Sequence, residues 1–137
     1  MRLLTISFLI AVSTLSWSGS LVHHPSYVTN EGTVLLACSS RDLDGEPRAW
    51  SALWVAIQHS DHPGGGVLNK GNYRWSKKLE LEITPTSYTL LRPFGNRFYI
   101  DRRNLSAVEG WDGYQCKITS LEQIEYEVKE SIGERKI

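Results

Sequence analysis

The chain holds two cysteines, Cys38 and Cys116, which stand 78 residues apart with Trp54 between them. Tyr114 lies two residues before the second, so the order is Cys, Trp, then Tyr-x-Cys. Both cysteines sit in apolar, strand-like surroundings, Val34 to Cys38 and Tyr114 to Ile118, and Trp54 follows Ala52-Leu53. Strands with inward cysteines, and an indole to pack on their bridge, make the core of a β-sandwich. In an oxidising compartment two cysteines allow one internal pairing, Cys38 with Cys116; two free thiols or an intermolecular bridge are the alternatives. Closing so long a loop stabilises a fold by roughly 4 kcal/mol in the chain-entropy view.

The N-terminus implies that oxidising compartment. Met1-Arg2 is a short positive start, Leu3 to Leu15 is largely apolar, and Ser16-Trp17-Ser18 fits a small-x-small cleavage pattern. Thr5, Ser7, Ser13 and Thr14 interrupt the apolar run, which is shorter than the roughly 20 residues of a membrane span. Residues 1–18 are therefore expected to be a signal peptide, and the mature product to be secreted and not inserted in a membrane. About 119 residues remain, one domain's worth. Lys+Arg and Asp+Glu both number 15, and that balance gives no pointer to nucleic acid or to an acidic lipid surface.

The periodicity reads as all-β. Val34, Leu36 and Cys38 alternate with Leu35 and Ala37, and Leu79 to Thr84 alternates cleanly. Phe98 to Ile100, Tyr114 to Ile118 and Ile124 to Lys129 repeat the pattern. Turn-rich clusters separate these runs: Asp42 to Pro47, Asp61 to Gly66, Asn69 to Asn72 and Pro93 to Asn96. Short strands punctuated in this way imply a sandwich or barrel, with no segment reading as a helix.

These pieces resemble a single immunoglobulin-superfamily domain of variable or intermediate type, over residues 25–132, followed by a polar tail at 133–137. Glu31 to Cys38 resembles the B strand, Ala52-Leu53-Trp54 the C strand, Tyr114-Gln115-Cys116 the F strand and Ile124 to Val128 the G strand. The resemblance implies a two-sheet antiparallel β-sandwich with one inter-sheet disulfide. It also implies that Trp54 packs on the bridge and that Tyr114 forms a tyrosine corner. Gly110 and Asp112 stand where the family has Asp and Gly, and Trp50 rivals Trp54 for the packing role.

With Trp54 inward, Leu53, Val55 and Ile57 fall on the outer face of strand C. Beside Lys117 on strand F they form a candidate interface; the alternative is that a neighbouring segment such as Val67-Leu68 or Tyr73 to Trp75 covers them. Asn104-Leu105-Ser106 is an N-glycosylation sequon in an expected turn.

Catalytic patterns are thin. His59 and His62, with His23-His24, lack the further ligands of a zinc site, and Asp42, Asp44 and Glu46 have the wrong spacing for calcium. Gly64 to Gly66 is not followed by the Lys-Ser/Thr of a phosphate loop. The pairs Glu80/Glu82 and Glu125/Glu127 fall on solvent faces, and Trp50, Trp75 and Trp111 offer either sugar-stacking surfaces or core packing. No cofactor and no metal are expected. The sequence reads as a non-enzymatic recognition protein that engages a cell-surface or secreted protein, or a second copy of itself, through a sheet face or loops. The alternative is a small secreted, disulfide-stapled β-sandwich of effector, inhibitor or lectin type. A bridge between opposed sheets favours the first class and a bridge within one sheet favours the second.

Overall fold

The computed structural model describes residues 22–41, 47–59, 62–110 and 112–134. A short helix α1 (Ser26–Thr29) leads into eight strands: β1 (Val34–Arg41), β2 (Pro47–Gln58), β3 (Gly64–Asn69), β4 (Glu80–Ile83), β5 (Ser87–Leu91), β6 (Arg97–Asp101), β7 (Ser106–Glu109) and β8 (Asp112–Ile118). Helix α2 (Leu121–Glu134) follows. The all-β expectation holds in its coarse form, since the chain is mostly antiparallel β with one disulfide.

The sheet arrangement differs from a sandwich. All eight strands lie in one sheet, ordered β3-β2-β1-β8-β7-β6-β5-β4, each paired antiparallel with its neighbour. Apart from the pairing of β1 with β8, every neighbour in the sheet is also a neighbour in sequence. The sheet curls until its ends nearly meet. Gly65 and Leu79 exchange backbone hydrogen bonds of 3.1 and 2.7 Å, and Ser76 N–H donates to Val67 O at 3.0 Å. That strip beside β3 nearly closes an up-and-down barrel, which is one way a β-protein disposes of its edges.

Eight strands enclose a space just wide enough for side chains to fill. Leu36, Val55, Ile57, Val67, Leu90, Phe98 and Ile100 fill it together with both cysteines, and all are buried. A second core lies outside the wall. There Leu35, Trp54, Ala56 and Leu68 meet Tyr27 and Val28 of α1 and Ile124 and Val128 of α2. Strand β2 is thus buried on both faces, which is why Leu53 to Ile57 reads as one continuous apolar run.

The segment Ile124 to Val128, expected as a strand, is helical. Leu121, Ile124, Val128 and Ile132 follow the helical spacing and face the wall. Burying Ile124 and Val128 contributes about 1.5–3 kcal/mol each. Ser120 caps the helix, its Oγ accepting Gln123 N–H at 3.2 Å, the first half of a capping box.

The cluster at Gly64 to Gly66, expected as a turn, is the start of β3. A Cβ at Gly66 would sit 2.6 Å from Tyr27 Cζ, and one at Gly65 would collide with the Ala56 carbonyl oxygen and lie 3.0 Å from Leu90. Glycine there lets α1 and β2 approach the strand closely. The expected signal peptide falls within residues outside the described ones. So do Asp42, Asp44 and Glu46, Trp111, the Trp50 side chain and the end of the polar tail.

Candidate functional site

Cys38 and Cys116 are bonded, with Cα atoms 4.0 Å apart. They are direct partners on β1 and β8, so the bridge joins adjacent strands of one sheet instead of opposed sheets. Trp54 does not pack on it in the expected way. Cys38 pairs with Leu53, and Trp54 pairs with Ala37, so the indole points out of the barrel while the cysteines point in. Its Nε1–H donates to Glu127 Oε1 at 2.8 Å, which ties α2 to the wall. A one-residue change of parity turns a whole strand over. Leu53, Val55 and Ile57 accordingly line the barrel interior and are buried; they form core, not an exposed interface.

Lys117, the fourth residue of that expected strip, is exposed on the outer wall beside Ala37. It lines a pocket of about 260 Å³ shared with Trp54, Tyr126 and Glu127. Tyr114 points inward, its ring 5.6 Å from that of Phe98. Burial and the nearby carboxylates of Asp112 and Glu109 push its phenol pKa up, so it stays neutral at ordinary pH.

Asn104 sits exposed in the turn between β6 and β7. Its Oδ1 accepts Ser106 N–H at 2.9 Å. The turn is anchored by Asp101, whose carboxylate accepts Arg103 N–H, Nε–H and Nη2–H at 2.8, 3.1 and 2.8 Å. Those bonds hold the Asp101 pKa down at about 2.

Of the histidines, His59 shares a 2.6 Å hydrogen bond with the Tyr88 hydroxyl and His62 is exposed. No group of three or more His, Cys, Asp or Glu able to hold a metal occurs among the described residues. No described helix is long and apolar enough to cross a membrane.

Two surfaces stand out. The first is the half of the wall built by β4 to β8, away from both helices. There Glu82, Thr89, Tyr99, Val108 and Gly113 form one register row across five strands. Tyr99 is 41% exposed and its partner Val108 48%. At the tip of the β5–β6 hairpin Phe94 is fully exposed and has a φ of 65°, next to Gly95 at 80°. A bulky residue with positive φ is strained, and strain of this kind clusters at recognition sites.

The second is a pocket of about 330 Å³ on the helix-bearing side, where His23, Tyr73, Arg74, Trp75 and Lys77 converge. A chain of hydrogen bonds orients its indole. Trp75 Nε1–H donates to His24 Nδ1 at 2.9 Å, and His24 Nε2 lies 2.6 Å from Glu125 of α2. Because Nδ1 accepts, His24 is the neutral tautomer with its proton on Nε2, donated to the carboxylate. Tyr27 meets the same indole edge-on with centroids 6.3 Å apart. Tyr73 is held at a φ of 53° by its N–H bond to Asn69 O. Sequence reasoning named Tyr73 to Trp75 and His23-His24 separately and did not bring them together, since they lie some 50 residues apart. One signal was available: between Asp61 and Glu80 there is no acidic residue, while Lys70, Arg74, Lys77 and Lys78 bring four cations.

No protein family, curated protein or solved structure matches this chain.

Proposed function

We propose that this chain is a secreted recognition protein with no catalytic step. It engages a cell-surface or secreted protein through the bare half of the barrel wall. The observation that carries the reading is the exposed cross-strand pair Tyr99 and Val108. Helices cover apolar side chains on the β1–β3 side of the wall, whereas this pair stays in solvent. Apolar groups placed together on a sheet, rimmed by the Arg97–Glu82 and Arg103–Asp101 pairs, have the make-up of an interface with a polar rim. The strained, exposed Phe94 on the same hairpin supplies an aromatic anchor of the kind that dominates binding energy. The disulfide suits an oxidising environment, and the Asn104 sequon in its exposed turn suits a glycan that stays solvated.

The placement of the bridge within one sheet favours the class of small, disulfide-stapled β-proteins over an immunoglobulin-like sandwich. The test is affinity capture from a preparation of secreted and cell-surface proteins, run with the wild type and with Tyr99→Glu/Val108→Glu, alongside sedimentation of each alone. A binder or self-association lost in the double variant at unchanged melting temperature supports the reading. Equal capture and equal sedimentation by the two forms refute it.

A further inference from the structure

The Trp75 pocket lies apart from the bare wall and has its own chemistry. Three features coincide there. First, two aromatic rings, Tyr73 and Trp75, line one concavity, with the Trp75 indole locked by His24 and Tyr27. Pre-setting a ring in this way lowers the ordering cost of binding. Second, Arg74 and Lys77 at the rim are exposed, and none of the described lining residues is a carboxylate. Third, the stretch from His62 to Leu79 holds four cations and no anion in a chain of zero formal net charge.

We infer that the pocket binds a sulfated saccharide, one sugar ring lying against Trp75 and Tyr73 and its sulfate held by Arg74 and Lys77. Guanidinium and ammonium groups form charge-assisted hydrogen bonds to tetrahedral oxyanions, and arginine does so through two parallel donors. A half-buried indole that lines a pocket offers an apolar surface against which a neutral ring face can lie. Single-stranded nucleic acid also combines rings with anions. The choice of the saccharide rests on the secreted reading proposed above, since outside the cell, where disulfides persist, the polyanions at hand are sulfated sugars. Charge on the rim sets affinity and salt dependence, while the locked indole selects a ring over a bare ion.

The test is titration of the full chain with a heparin-derived hexasaccharide at about 0.05 and about 0.15 M salt, read by tryptophan fluorescence and calorimetry. Parallel titrations use the desulfated hexasaccharide, inorganic sulfate and a short oligothymidine. The expected result is saturable binding to the sulfated sugar that weakens with salt, with no binding to the desulfated form. Arg74→Glu/Lys77→Glu alters two exposed side chains and should weaken binding roughly tenfold or more at unchanged melting temperature. Trp75→Phe should remove the fluorescence response and weaken binding several-fold. Absent binding, or binding indifferent to the charge-reversed pair, overturns the inference. Oligothymidine bound as tightly as the sugar overturns the saccharide assignment, and inorganic sulfate bound as tightly overturns the role of the rings. None of these outcomes involves Tyr99 or Val108, so failure here and failure of the protein-binding reading are separable.

Discussion

Replacing Gly66 with alanine tests how α1 is seated on the barrel. The added methyl would lie 2.6 Å from Cζ and 2.8 Å from Cε1 of Tyr27 and would also collide with its hydroxyl. The strand cannot yield on its other side, where Val67 and Leu90 are fully buried in the barrel core, so Tyr27 has to move. That ring is buried, donates to Ser76 O at 2.7 Å and braces Trp75. Overpacking costs about 1–3 kcal/mol, and losing the hydroxyl's bond adds about 1 kcal/mol. The reduced backbone freedom of alanine returns about 0.4–1 kcal/mol. The net expectation is a loss of about 2–3 kcal/mol, or about 10 °C in melting temperature. Urea unfolding followed by tryptophan fluorescence measures it, in the wild-type and Tyr27→Ala backgrounds. In the second background the clash is gone, and Gly66→Ala should cost almost nothing. An equal loss in both backgrounds would refute the argument, because the cost would then lie in the strand and not in the contact with Tyr27.

Three further expectations follow from the site geometry. Trp54→Phe should cost about 1 kcal/mol, from the lost hydrogen bond to Glu127, and hydrogen exchange should rise along α2 before the barrel strands. Asp101 has its folded-state pKa lowered from 3.8 to about 2, so its contribution is present above the ordinary value and fades as pH falls through about 2. Unfolding curves of wild type and Asp101→Asn should therefore differ at pH 5 and converge near pH 2; a constant gap across that range would contradict the Arg103 contact. Replacing Cys38 and Cys116 together with alanine should cost about 4.5 kcal/mol from loop entropy, less any structure that persists in the unfolded chain, as measured by chemical denaturation.

Most strands were legible because an alternating pattern with one dry face has few other readings. Leu79 to Thr84, Phe98 to Ile100 and Tyr114 to Ile118 all contain or overlap observed strands. The helix was misread because Ile124 and Val128 are four apart, a spacing that falls on one face of a strand as well as of a helix. The residues that separate the two periods are Leu121, which three residues before Ile124 would fall on the opposite face of a strand, and Tyr126, which a strand would bury and which is 58% exposed. Ser120 and Gln123 also carried a capping signal. The inversion of Trp54 has a different origin. Alternation says that Leu53 and Trp54 face opposite ways but not which of them faces the cysteines, and an indole suits either core. The Trp75 pocket was illegible for a third reason. Its tryptophan is oriented by His24 and Glu125, which reach it from opposite ends of the chain only after the barrel curls.

The one cystine joins the first strand of the barrel to the last. Covalently, the stretch from Cys38 to Cys116 is a ring, with the two chain ends hanging from a single point on it. A protease that cuts any one exposed turn within that ring, including Thr84 to Thr86 or Pro93 to Asn96, opens the loop without releasing a fragment. The strands on either side remain tethered and can stay paired. Damage then shows as a second band only after reduction, and a nicked molecule can still carry whatever it has bound.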